Sequence, residues 1–205
     1  IATSYNIVDT YFVSDLGESS VAAVGIMFSV MALIQAVGYT WGMGAGSEIA
    51  RLLGKQKKRE AEQTLATALA GGILSGAVMA VIFAVFREDV VRLLGATDTS
   101  LAPAGQYGIY IMLAAPVMCG AYVLNNALRA EGQPYLALLG ILAGGLSNAL
   151  FDYILVRVLG LGIAGAGIAT LAGQGISLAI MYICVRSRCS VVRLHISDLW
   201  SFRYG

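Results

Sequence analysis

Long uncharged stretches alternate with short charged segments along the chain. Apart from a single aspartate, Asp152, no charged residue interrupts five of these stretches, which cover 19–47, 63–86, 99–128, 132–156 and 158–185. Each stretch exceeds the roughly 20 residues that an α-helix needs to cross about 30 Å of hydrocarbon. The pattern therefore predicts five complete transmembrane helices.

The start of the chain predicts part of a sixth helix. Residues 1–14 are apolar apart from Asp9, but a helix of this length would rise only about 21 Å at about 1.5 Å per residue. Because this is too short to cross the membrane, we expect a helix whose beginning is missing. The stretch shows no charged region or cleavage site of the kind found in signal peptides.

These stretches together predict an all-α fold, a polytopic membrane bundle of six transmembrane helices of which the first is incomplete. Residues 1–186 would form the transmembrane domain, and residues 187–205 a cytoplasmic connection. The helices are expected at about 1–14, 19–51, 61–86, 101–129, 134–157 and 162–186.

Composition and charge support a membrane protein and predict its orientation. Hydrophobic residues make up 58% of the chain and charged residues only 12%, about half the charged fraction of soluble proteins. Of the 13 lysines and arginines, all but Arg87, Arg92 and Arg157 fall on one side of the predicted spans. The positive-inside rule places that side in the cytoplasm of a multi-pass protein of the plasma (inner) membrane.

The remaining composition favours neither nucleic-acid binding nor a cofactor. The net charge is +1, so the basic segment "KQKKREAEQ" is interpreted as a topology signal with secondary contacts to lipid headgroups. Cys119, Cys184 and Cys189 have neither the paired spacing of a disulfide framework nor neighbouring histidines for a zinc site. We therefore predict that the protein has no cofactor and no nucleic-acid partner and that it contacts the lipid bilayer.

Two aspartates, Asp9 and Asp152, lie inside apolar stretches. An aspartate at the centre of a bilayer costs about 2.5–3.5 kcal/mol even on insertion scales, and such residues usually have a function. Asn148 precedes Asp152 by four residues, so the two share one helix face and the amide is within reach of the carboxyl group. A polar packing contact between helices is the alternative interpretation for either aspartate.

The two aspartates begin a short internal repeat. The sequences from Asp9 and from Asp152 both read DxxxVxxLGxxxxxA, with each aspartate eight residues before a glycine, Gly17 or Gly160. Both carboxyl groups are therefore expected at one depth, on the order of 10 Å below the outer surface. Counting from the outer helix ends places Tyr107 and Thr170 near the same depth. Tyr5 would lie one turn deeper, on the same face as Asp9.

Four segments in combination resemble the amino-terminal six-helix lobe of multidrug and toxic compound extrusion (MATE) transporters, especially the prokaryotic branch. They are "YNIVDTYFVSDLGESSVAAVG", "GMGAGSEIARLLGKQKKREAE", "NNALRAEGQPYLAL" and "SNALFDYILVRVLGLGIAGAGIATLAGQ". The resemblance implies a pseudo-twofold, twelve-helix transporter in which a second six-helix lobe completes a central cavity. It further implies export of small organic, mostly cationic substrates driven by a cation gradient, and no enzyme activity.

The resemblance also implies roles for individual residues. Asp9, Asn148 and Asp152 would couple transport to H+ or Na+, and Tyr5, Tyr107 and Thr170 would form the supporting polar network. A bound Na+ would be held by the coupling residues together with Thr170.

Two other functions would also use features of this sequence. Lipid-linked oligosaccharide flippases belong to the same superfamily, but their anionic substrates favour an arginine-rich cavity, and no arginine interrupts the five apolar stretches. Intramembrane aspartyl proteases use two membrane aspartates, but their YD and GxGD motifs are replaced here by "VDT" and "FDY".

Overall fold

The structure is a computed structural model that describes residues Thr10, Tyr11, Val13, Ser14, 17–186 and Val192. The predictions for Tyr5, for Asp9 and for nearly all of the connection at 187–205 lie outside the described residues.

The described residues form an all-α bundle. The helices are α1 (Glu18–Gly54), α2 (Lys58–Val85), α3 (Arg87–Leu93), α4 (Asp98–Ala130), α5 (Pro134–Asp152), a π-helical extension of α5 (Tyr153–Val158), and α6 (Gly162–Arg186). Five helices of this part of the chain, counting α5 with its extension, are long and apolar enough to cross a membrane. The predicted fold class, a bundle of membrane helices, is confirmed.

Two helices begin earlier than the charge pattern predicts. α4 begins at Asp98 rather than near 101, because Thr97 and Ser100 form a capping box in which the Thr97 amide donates to Ser100 Oγ at 3.0 Å. α2 begins at Lys58 rather than near 61, and its first turn is charged. An uncharged stretch indicates only the part of a helix that lies in the hydrocarbon, and the helix can continue into the polar headgroup region beyond it.

The short helix α3 is absent from the sequence prediction. It occupies the connection between α2 and α4, with Glu88 and Asp89 in its first turn and Arg92 in its last. This arrangement of charges is favourable for the helix dipole. Val91 is its buried residue. A helix of seven residues with one buried apolar side chain is too short to be found by looking for long apolar stretches.

α4 lies at the centre of the bundle and contacts α1, α2, α5 and α6. Two thirds of its most apolar 18-residue window is buried, against 28–39% for the other four membrane helices. One hydrophobic cluster surrounds Tyr107 and Ile111, and a second surrounds Leu124 and Leu128 nearer the opposite end of α4. Val192 is fully buried in the second cluster.

Glycines allow the backbones of neighbouring helices to approach closely. A Cβ atom on Gly76 of α2 would lie 2.7 Å from the carbonyl oxygen of Ala115 and 2.7 Å from Cα of Pro116 in α4. Such contacts are typical of membrane helices, in which small residues permit dense packing. Gly72 and Gly76 lie four residues apart in the sequence and both face α4, so this spacing marks the face of α2 that packs against α4.

Candidate functional site

Asp152 is the last residue of α5, and its side chain is fully buried. The chain continues directly into the π-helical segment Tyr153–Val158, which leads to the turn at Gly160. π-Helical turns are rare and occur frequently at functional sites. The aspartate therefore lies where the helix changes type, a feature that the sequence pattern does not reveal.

Asn148 lies one turn before Asp152 and is 1% exposed. Its Nδ2 donates to Thr170 Oγ1 at 3.5 Å, and Thr170 Oγ1 donates to the carbonyl oxygen of Ala166 at 3.1 Å. Thr170 is also buried. The amide and the hydroxyl thus connect α5 to α6 beside the carboxyl group, and the structure brings these three predicted residues into one buried region.

Tyr107 occupies the same part of the bundle from α4. It is fully buried in a hydrophobic cluster that includes Val156, four residues after Asp152, and Ala166, whose carbonyl group accepts the hydrogen bond from Thr170. Tyr107 thus packs in the same hydrophobic cluster as residues that neighbour Asp152 and Thr170 along the chain. Tyr5, the third member of the predicted polar network, and Asp9, the first of the two aspartates, lie outside the described residues.

The internal repeat has a counterpart in the structure. Both of its valines, Val13 and Val156, and both of its alanines, Ala23 and Ala166, are buried in the same hydrophobic cluster. Its turn glycines have positive φ angles, 104° at Gly17 and 64° at Gly160, which favour glycine over other residues. The shared offsets therefore mark equivalent buried and turn positions.

A contact between Arg157 and Tyr11 joins the same two segments. The guanidinium carbon of Arg157 lies 5.7 Å from the ring centroid of Tyr11, within the range of a cation–π interaction. Arg157 belongs to the π-helical segment that follows Asp152, and Tyr11 lies two residues after Asp9. The described part of the first segment is thus packed beside the end of α5.

Gly173 is a site residue that the sequence reasoning missed. A Cβ atom at this position would lie 2.8 Å from Asn148 Cβ and 2.9 Å from the carbonyl oxygen of Gly144. The absence of a side chain lets α6 pack directly against α5 at the asparagine, which brings Thr170 within reach of Asn148. Gly140 and Gly144 lie four residues apart on α5, a spacing typical of close helix packing, but this spacing does not identify the partner helix.

Further buried polar residues continue the site along α6. Gln174 and Ser177 are 9% and 3% exposed, and they follow Thr170 on one face of α6. The signal in the sequence was the recurrence of polar residues at helical spacing within an apolar span.

The arrangement places an ionisable carboxyl group beside an amide and a hydroxyl, all buried among apolar side chains. A carboxyl group of this kind can bind and release a proton, and the carboxylate, amide and hydroxyl oxygens are ligands suited to a hard cation. Among the described residues, no group of three or more His, Cys, Asp or Glu side chains is placed to hold a metal ion.

Comparison with known proteins agrees with this architecture. Residues 1–154 match the family model MatE. The multidrug export protein MepA of Staphylococcus aureus is 28% identical over 184 residues, which are 89% of this chain and 41% of that protein. MepA of Staphylococcus saprophyticus is 24% identical over 198 residues, 96% of this chain and 44% of that protein.

Two solved structures of multidrug resistance MATE family transporters of the MOP superfamily superpose on the bundle. The inward-facing structure gives a TM-score of 0.92 at 28% identity and covers 99% of this chain and 46% of its own. The outward-facing structure gives a TM-score of 0.87 at 31% identity, with 98% and 45% covered. The chain thus spans less than half the length of these relatives.

Proposed function

Because this chain belongs to the MatE family of multidrug transporters, we propose that it forms one lobe of a secondary active transporter. The complete protein would export organic, mostly cationic compounds in exchange for H+ or Na+. The relatives are about twice as long as this chain, which supports a second lobe that completes the substrate cavity. The basic connection between α1 and α2 would face the cytoplasm.

The observation that carries this proposal is the complete burial of Asp152 beside Asn148 and Thr170. A carboxylate in an apolar membrane bundle needs a proton, a cation or hydrogen-bond donors to compensate its charge. Such a carboxyl group can therefore bind either a cation or a proton, and the two compete, as antiport requires.

Coupling then follows from linkage between the two ligands. The cationic substrate or Na+ favours the conformation in which Asp152 is charged, whereas a proton favours the conformation in which the carboxyl group is neutral. Each ligand shifts the population away from the state that the other prefers. The proton gradient can thereby drive release of the substrate, with Asn148 and Thr170 holding the carboxyl group in place.

The distribution of buried charge favours a cationic over an anionic substrate. Among the described residues, the buried charged side chains are Glu62 and Asp152, and no buried lysine or arginine occurs. An anionic substrate such as a lipid-linked oligosaccharide would require basic groups in the cavity, so this part of the chain supports export of cations rather than flipping of such lipids.

The decisive experiment replaces Asp152 by asparagine in the full-length protein. We expect Asp152→Asn to insert and fold, because the side chain keeps its shape and an amide is cheaper to bury than a charge. Gradient-driven export of an organic cation such as ethidium from proteoliposomes should be abolished, since an amide cannot exchange a proton. Asp89→Asn, the same change on the exposed helix α3, is the matched control and should export normally. Wild-type export by a correctly inserted Asp152→Asn protein would overturn the proposal.

A further inference from the structure

A cavity of about 840 Å³ lies between α1 and α2, next to the connection that joins them. Its lining runs from Thr40 to Leu52 on α1 and from Glu60 to Ala68 on α2, whereas the region of Asp152 is built from α4, α5 and α6. The volume is within the usual range of about 300–1,000 Å³ for small-molecule sites. The coupling mechanism makes no use of this cavity.

The deeper end of the cavity presents an aromatic surface whose orientation is fixed. Trp41 Nε1 donates to Ser75 Oγ at 3.0 Å, and Ser75 Oγ donates to the carbonyl oxygen of Gly71 at 2.8 Å. A Cβ atom on Gly71 would lie 2.6–2.8 Å from three atoms of the indole, so the ring lies directly against the backbone of α2. The indole is nevertheless 38% exposed. A ring held in place before binding loses little freedom when a ligand packs against it.

The end of the cavity nearer the connection is acidic. The two charged residues of the described lining are Glu48 and Glu60. Arg51 holds Glu48 through two contacts, Nη2 to Oε1 at 2.7 Å and Nε to Oε2 at 3.0 Å, whereas Lys57 Nζ donates to Glu60 Oε1 at 2.8 Å. Both ion pairs are exposed and join residues three positions apart, and the single contact at Glu60 contributes little to stability. A cationic ligand can therefore replace Lys57 at a small cost, whereas at Glu48 it competes with the two-contact pair from Arg51.

We propose that this cavity is a second binding site, which takes amphiphilic organic cations that carry an aromatic ring system. The cationic group would bind at Glu48 and Glu60, and the ring system would pack against Trp41. Glu48 lies seven positions after Trp41, or about 10 Å along the helix, so the apolar part of the ligand lies deeper than its charge. The ligand class rests on the proposed function, but the residues that form this site are different from those of the coupling site.

The position of the cavity suits a cation that arrives from the cytoplasmic leaflet. α1 has 37 residues and is about 55 Å long at about 1.5 Å per residue, whereas the hydrocarbon is about 30 Å thick. The surplus length carries Glu48 and the charged first turn of α2 into the headgroup region. Binding there would concentrate substrate beside the bundle before it reaches the region of Asp152.

The test measures binding of ethidium, a planar aromatic cation, to the full-length protein in lipid nanodiscs. All variants carry Asp152→Asn, so that the coupling residue does not contribute. Trp41→Leu and Glu48→Gln should each raise the Kd about fivefold to tenfold, as expected for loss of one aromatic or ionic contact. Arg51→Gln should lower the Kd, because it releases Glu48 from its ion pair. Glu18→Gln, an exposed glutamate at the other end of α1, should leave the Kd unchanged.

Several results would overturn the inference. One is an unchanged Kd in both Trp41→Leu and Glu48→Gln, and another is equal affinity for phenanthridine, the neutral parent ring of ethidium. Failure of a maleimide to label Thr64→Cys in the full-length protein would show that the cavity is covered. Phosphatidylethanolamine could compete for the same site. If it displaced ethidium from the Asp152→Asn protein but not from the protein that also carries Glu48→Gln, the site would bind a lipid headgroup instead. If Trp41→Leu does not fold, Trp41→Phe replaces it and should raise the Kd less.

The binding series and the transport experiment can fail separately. Normal binding in every cavity variant, together with loss of export in Asp152→Asn, would overturn only this inference. Normal export in Asp152→Asn would overturn the proposed function, and the binding results would still decide whether the cavity takes organic cations.

Discussion

At the scale of single residues, the neighbours of Asp152 differ from it in what they can do. Asn148 and Thr170 are buried with it and hydrogen-bonded to each other, but neither side chain changes charge in the physiological range. We expect their contribution to be positioning of the carboxyl group in whichever state it adopts. Substitutions at these positions should therefore modify transport without the complete loss expected at the aspartates.

This difference leads to a prediction about the dependence of transport on pH. In the full-length protein, Asn148→Ala should weaken export and displace its profile along the pH axis, because Asp152 loses a polar neighbour. Asp9→Asn and Asp152→Asn should be inactive at every pH. Export of an organic cation, measured in proteoliposomes over a series of external pH values, compares the three variants.

Thr170 provides the matched controls for that experiment. Thr170→Ser retains the hydroxyl that accepts from Asn148 and should keep the wild-type profile, whereas Thr170→Val has nearly the same shape without the hydroxyl and should resemble Asn148→Ala. A wild-type profile in Asn148→Ala would mean that the amide is only a packing residue.

At the scale of helices, the site depends on how closely α6 packs against α5. Gly173 makes this contact, and an added Cβ atom would meet the side chain of Asn148 and the backbone of Gly144. Because the neighbours are backbone or close to it, they cannot move aside as a flexible side chain would. The two helices would have to separate, and with them the Asn148 to Thr170 hydrogen bond.

We therefore predict that Gly173→Val destabilises the protein and impairs export. Overpacking of this kind costs about 1–3 kcal/mol, which should lower the midpoint of thermal unfolding of the purified full-length protein. Gly175→Val on the same helix is the control, since an added Cβ atom there has no neighbour within 4 Å among the described residues. Equal melting temperatures for the two variants would contradict the close contact seen here.

At the scale of the whole molecule, the orientation of the bundle would decide from which side the proposed coupling ion enters. The ends of α1 and α2 that carry Arg51, Lys57 and Arg59 face one way, and α3 with Glu88 and Asp89 faces the other. The excess of positive charge on the first side predicts that it is cytoplasmic.

Labelling of introduced cysteines tests this orientation. In a full-length protein without its native cysteines, Lys55→Cys should react with a membrane-impermeant maleimide only when the cytoplasmic side is accessible. Thr99→Cys, which is exposed at the start of α4, should react from the outside of intact cells. The reverse pattern would refute the cytoplasmic assignment of the basic connection.

The fold was largely predictable because long uncharged stretches determine it, and these stretches can be identified from the sequence alone. The burial of the polar residues at 107, 148, 152 and 170 follows a related rule, since a polar group within an apolar span is conspicuous in the sequence and is expected to face the interior of the bundle. α3, the π-helical segment and Gly173 were not predictable. They depend on packing between helices or on small departures of the backbone, and neither leaves a clear pattern in one sequence.

The position of Asp152 also bears on the electrical work of transport. Only seven residues, six of them in the π-helical segment, lie between it and the turn at Gly160, so in the predicted orientation it would lie roughly a third of the way into the membrane from the outer side. A proton that entered from outside to reach it would then cross about a third of the membrane voltage, or about 0.8 kcal/mol per 100 mV of the full 2.3 kcal/mol. The larger part of the voltage would then act on the step that delivers the proton from Asp152 to the cytoplasm.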